Sequence, residues 1–143
     1  MRKIEHLGIA VRDLEASKQL FGRLLGRECY KEEKVSGEGV NTAFFMLGET
    51  KIELLEATRP DSPIAKFIEK KSEGIHHIAF DVADIREEVK RLKEEGFEIL
   101  NEEPKEGADN KLVVFLHPRS TNGVLVELCQ ERGRRDEGTQ RPV

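Results

Sequence analysis

His6-Leu7-Gly8-Ile9-Ala10-Val11, followed by Asp13-Leu14, returns as His77-Ile78-Ala79-Phe80-Asp81-Val82, followed by Asp84-Ile85, at a constant offset of 71 residues (77 minus 6; 85 minus 14). Each copy reads as the opening strand of a module. In the first, Leu7, Ile9 and Val11 alternate onto one face, and His6, Gly8 and Ala10 onto the other. A repeat that places a ligand-type side chain twice in the same position implies one site shared by the two copies. Each copy also holds a later strand with a single acid among apolar residues: Lys51-Ile52-Glu53-Leu54-Leu55 and Val124-Leu125-Val126-Glu127-Leu128.

Working outward, Asp13 suits an N-cap, Leu14, Phe21, Leu24 and Leu25 follow helical spacing, and Gly26 ends the run. Strands are then expected over 28–34, 42–47 and 51–56, with Gly48-Glu49 as a hairpin turn. The second copy repeats this order. Asp84 caps a helix with Ile85, Val89 and Leu92 at i, i+4 and i+7, Gly96 stops it, and strands are expected over 98–101, 112–116 and 124–129. The expected fold is therefore α+β: two tandem βαβββ modules, 1–58 and 74–130, forming one domain (1–130) with a curved, cupped mixed sheet and helices outside. A turn-rich linker with a short helix near 64–71 joins them. From Glu131 to the end at 143 the chain is polar and expected to be disordered.

At 143 residues the chain suits one domain, since either half alone would bury too little to stand. Charged residues make up 36% and aromatics 6%, but the net charge is only −4, which marks neither a nucleic-acid partner nor a membrane-surface one. Cys29 and Cys129 lack metal-type spacing, and no apolar run is long enough to span a bilayer, so a reduced, cytoplasmic setting is expected.

In all four ligand-bearing strands the polar candidate lies off the large apolar face. A strand glutamate more often faces solvent, and a lone histidine is more often structural; repetition shifts the weight toward function. Two imidazoles and two carboxylates, from His6, Glu53, His77 and Glu127, make a mixed nitrogen and oxygen set suited to a first-row divalent cation. His76 falls on the opposite face from His77 and is read as structural, and His117 as part of a loop bordering the site.

With these residues the chain resembles the vicinal oxygen chelate, or glyoxalase-like, superfamily from about Ile4 to Gln130, and within it the epimerases of methylmalonyl-CoA. The most specific matches, beside the histidine and glutamate strands, are Arg59-Pro60-Asp61-Ser62-Pro63-Ile64-Ala65, Gly74-Ile75-His76-His77-Ile78 and Val114-Phe115-Leu116-His117-Pro118. The resemblance implies that His6, Glu53, His77 and Glu127 are ligands of a divalent metal ion, cobalt first, with manganese, nickel or zinc also compatible. It implies an acyl-CoA thioester substrate, proton abstraction beside the thioester to give a metal-stabilised enolate, and a homodimer. Glu127 is the candidate catalytic acid/base. Some members are thought to place a second glutamate where this chain has Thr42, which is no base at neutral pH. Lys111, Arg119 and Ser120 are expected to meet the phosphates of the CoA carrier. Rival expectations are a glyoxalase I type lactoylglutathione lyase, a non-catalytic binding protein on the same scaffold and, less favoured, a ring-cleaving iron dioxygenase.

Overall fold

The computed structural model describes residues 1–132, and the elements follow the expected order twice. The first series is β1 (Lys3–Ala10), α1 (Leu14–Leu25), β2 (Lys31–Val35), β3 (Val40–Leu47) and β4 (Thr50–Ala57). After α2 (Pro63–Lys71) comes the second: β5 (Gly74–Asp81), α3 (Ile85–Glu94), β6 (Lys105–Gly107), β7 (Lys111–Leu116) and β8 (Val126–Glu131). The chain divides into two compact units, Ile4–Ile78 and Met1–Lys3 with Ala79 onward, so that it passes from one to the other within β5.

In the first unit β2, β3 and β4 form an antiparallel run and β1 joins β4 in parallel, with Gly8 opposite Glu53. The Asp13 carboxylate accepts from Ala16 N at 3.1 Å, and Gly26 closes α1 in the left-handed region at φ 66°. Leu7, Ile9 and Val11 pack with Phe21 and Leu25 of α1 and with Phe45, Ile52 and Leu54. Leu24 departs from the expected helix face: it is 70% exposed. Ala10, Val40 and Leu55 form a separate cluster with Ile64 and Phe67 of α2. That helix starts at Ser62, whose hydroxyl accepts from Ala65 N, with Pro63 in its first turn. Both sides of this part of the sheet are thus covered, one by α1 and the other partly by α2.

In the second unit β6, β7 and β8 pair antiparallel. Asp84 caps α3, whose Ile85, Val89 and Leu92 bury against Val114, Leu116, Val126 and Leu128. The strand expected over 98–101 is reduced to one bridge between Ile99 and Leu116. At its end the Asn101 side chain accepts from Phe115 N at 2.9 Å and donates to Val113 O at 3.1 Å, taking the hydrogen bonds a neighbouring strand would make. Pairing resumes only at β6. Glu131, expected to begin the tail, is still in β8, and Arg132 pairs with Glu106; the rest of the expected tail lies outside the described residues. Among the described residues no helix is long and apolar enough to cross a membrane.

Candidate functional site

Alternation on β1, β4 and β5 carries three of the four expected ligands to one place in the first unit. His6, Glu53 and His77 are 5%, 3% and 7% exposed. The Nε2 atoms of His6 and His77 face each other at 2.9 Å, with ring planes at 88°. On the other side of the His6 ring, Nδ1 lies 2.6 Å from Glu5 Oε1 and 3.2 Å from Glu53 Oε2. The second ring nitrogen of His77 is also engaged, its Nδ1 being 2.9 Å from His76 Nδ1.

Backbone geometry makes this approach possible. A Cβ on Gly8 would stand 2.2 Å from His77 Cε1, so the ring occupies space that any larger residue on β1 would fill.

Glu5 and Lys51 are a buried charged pair that sequence reasoning missed. Lys51 Nζ donates to Glu5 Oε2 at 2.6 Å while His6 takes the other oxygen, and Lys51 stands directly opposite His6 in the parallel register. Burial pushes the Glu5 carboxyl up, but the hydrogen bonds from His6 and from the Lys51 ammonium prevail and hold it down at about 2. Glu5 is therefore an anion that can only accept, which fixes the proton of that contact on His6 Nδ1. The signal available in the sequence was an acid at position 5 on the alternation of Leu7 and Ile9, where a solvent-facing residue is out of place. His76 was read as facing away; its ring instead reaches His77 Nδ1 while packing edge-on against Phe67 of α2 at 5.0 Å.

The Nε2 atoms of His6 and His77, 2.9 Å apart, form a hydrogen bond where one carries a proton; with Nδ1–H on both rings they would instead present two lone pairs, which repel. A shared cation relieves this, and two nitrogens each about 2.0–2.1 Å from one metal at a near right angle stand about 3 Å apart. The two imidazoles therefore fit a borderline divalent ion, while the Glu53 carboxylate stands at the Nδ1 side of the His6 ring.

Glu127 is placed in the second unit, on β8 opposite Phe115, 6% exposed, with Cys129 Sγ donating to its Oε2 at 3.4 Å. The three residues expected to hold CoA phosphates are not gathered together. Lys111, 7% exposed, begins β7 with its ammonium 3.8 Å from Glu131, whereas Arg119 and Ser120 lie beyond the other end, past about 17 Å of strand. Arg119 makes a two-pronged bond to Glu98 at 2.8 and 2.9 Å, and Ser120 Oγ donates to His117 O. His117 Nδ1 accepts from Arg119 N, closing the same loop. Thr42 is buried on β3 between Glu33 and Leu55. Neither Cys29 nor Cys129 is joined in a disulfide.

Residues 5–115 match the model of the glyoxalase/bleomycin resistance protein/dioxygenase superfamily. The chain is 46% identical over 130 residues to an ethylmalonyl-CoA/methylmalonyl-CoA epimerase of Cereibacter sphaeroides, covering 90% of this chain and 97% of that one. It is 43% identical over 129 residues to the mitochondrial methylmalonyl-CoA epimerase of Homo sapiens, covering 90% and 73%. A solved methylmalonyl-CoA epimerase in complex with methylmalonyl-CoA and NH4+ superposes with a TM-score of 0.88 at 34% identity, over 92% of this chain and 96% of that one.

Proposed function

We propose that this chain, which belongs to the glyoxalase/bleomycin resistance protein/dioxygenase superfamily, is an isomerase that interconverts the R and S epimers of methylmalonyl-CoA. The observation that carries the reading is the facing pair of buried His6 and His77 imidazoles, in a chain whose relatives are epimerases of this substrate. His6, Glu53 and His77 would hold a divalent cation, with Glu127, the equivalent acid of the second copy, as fourth ligand; the sequence repeat supports that choice. Such a cation, when bound, supplies positive charge where the thioester oxygen gains negative charge as the α-proton leaves.

The residues of the chain then divide the remaining work. His6 and His77, held between Glu5 and His76, give a rigid nitrogen pair that fixes the site before substrate arrives. Glu127 is assigned the proton transfer: its buried carboxylate takes the α-proton and, in the reverse direction, returns it. Epimerisation needs a second carrier on the opposite face, and the Thr42 hydroxyl is not a base at neutral pH. An ordered water can fill that role. Glu127→Gln tests the assignment: exchange of the substrate α-proton with deuterated water should fall at least 100-fold with the far-UV spectrum unchanged, and near-normal exchange would overturn it.

Lys111 and Arg119 are proposed to meet the carrier at two separate points, because β7 keeps them apart. Arg119→Ala should weaken CoA-ester binding several-fold; unchanged affinity removes it from the site. The resemblance also proposes a homodimer, which sedimentation equilibrium would report as twice the chain mass. The lyase reading predicts turnover of methylglyoxal with glutathione, where the epimerase reading predicts none.

A further inference from the structure

The residues directly before the two histidines hold equivalent places in the repeat, since 5 plus 71 is 76. Each meets the Nδ1 of the ring that follows it, Glu5 at 2.6 Å and His76 at 2.9 Å. Each is in turn held by a neighbouring element of the same unit. Lys51 on β4 donates to the other oxygen of Glu5 at 2.6 Å, and Phe67 on α2 packs edge-on against His76. Nothing in the fold alone demands a carboxylate and an ammonium here. Burying such a pair gains little stability over apolar side chains of the same volume.

Their chemistry points to the nitrogens instead. A carboxylate that only accepts keeps the proton on His6 Nδ1. His76 Nδ1 lies 2.9 Å from His77 Nδ1, and as the acceptor of that contact it would do the same for the second ring. The two Nε2 atoms face each other at 2.9 Å, and with both Nδ1 positions protonated they would present lone pairs, the form an imidazole must take to bind a metal.

We propose that Glu5, locked by Lys51, and His76, locked by Phe67, are positioning residues that hold His6 and His77 as Nδ1–H tautomers, so that both Nε2 lone pairs face one divalent cation. The inference rests on the metal reading above and deepens it by naming what sets ligand geometry and affinity. The two copies solve the same problem with different side chains, an anion in one and a neutral ring in the other. The His6 side should therefore contribute more to affinity, because a negative partner also makes its ring a stronger donor.

The test combines imidazole nitrogen NMR of the metal-free protein with Co2+ titration against a competing chelator. The variants are E5L/K51M, which removes both charges so that no ammonium is left buried alone, and H76L, with H76Q restoring an acceptor. E5Q serves if the double variant does not fold. Wild type should show Nδ1–H on both rings. E5L/K51M should move His6 toward the Nε2–H form and weaken Co2+ binding about 10–100-fold. H76L should do so for His77 by a smaller factor, and H76Q should recover part of it. A wild type that binds Co2+ together with variants of unchanged tautomer and affinity would overturn this inference alone. A wild type that takes up no Co2+ would overturn the metal reading and the inference with it.

Discussion

A methyl group at position 8 would place its carbon 2.2 Å from Cε1 and 2.6 Å from Nδ1 of His77. Gly8→Ala must therefore displace that ring or bend β1, at a cost of about 1–3 kcal/mol. The expected result is a modest fall in thermal midpoint accompanied by a large loss of metal affinity. Loss of stability with affinity intact would mean that the His77 ring is not a ligand. At this scale alternation and repetition, which act on single positions, singled out His6, Glu53 and His77, and all three side chains are buried. They did not disclose Glu5, Lys51 or His76. Whether two polar groups meet depends on the register of β1 against β4 and on the packing of α2, neither of which is written locally.

The helices were legible because their signals are local: Asp13 and Asp84 accept from the third residue of their helices, and Val89 and Leu92 lie on the buried stripe. Asp84→Ala should lower stability by roughly 0.5–2 kcal/mol, and Leu92→Ala by about 2–5 kcal/mol, because it empties a fully apolar cluster. Denaturant titration of both variants checks the ranking. Equal losses would contradict the role assigned to the α3 core. Strand β6 was not legible. Its Lys-Glu-Gly sequence has no period-two apolar pattern, and the preceding segment keeps backbone bonds from Leu100 N to Phe115 O and from His117 N to Glu98 O, until the Asn101 side chain takes over at its end. Asn101→Ala would leave Phe115 N and Val113 O without those partners, and is expected to cost about 1–3 kcal/mol.

For the whole molecule, the duplicated order of βαβββ was the part most securely read, because it rests on an offset maintained across many residues rather than on any one of them. A cation bound by side chains of the folded chain stabilises it by mass action, about 2.7 kcal/mol when free metal is 100 times its dissociation constant. The thermal midpoint should accordingly rise with added Co2+ and fall on chelation. The shift should be largely lost in a His6→Ala variant.

The central claim is that a buried imidazole and carboxylate centre performs proton transfer beside a thioester. It is tested most directly by following α-proton exchange and epimerisation of methylmalonyl-CoA before chelation, after it, and after metal is restored. The account predicts that both activities disappear together and return together with about one equivalent of divalent metal per chain. Undiminished turnover by metal-free protein, or a fully metal-loaded protein that leaves the substrate's α-proton untouched, would contradict it.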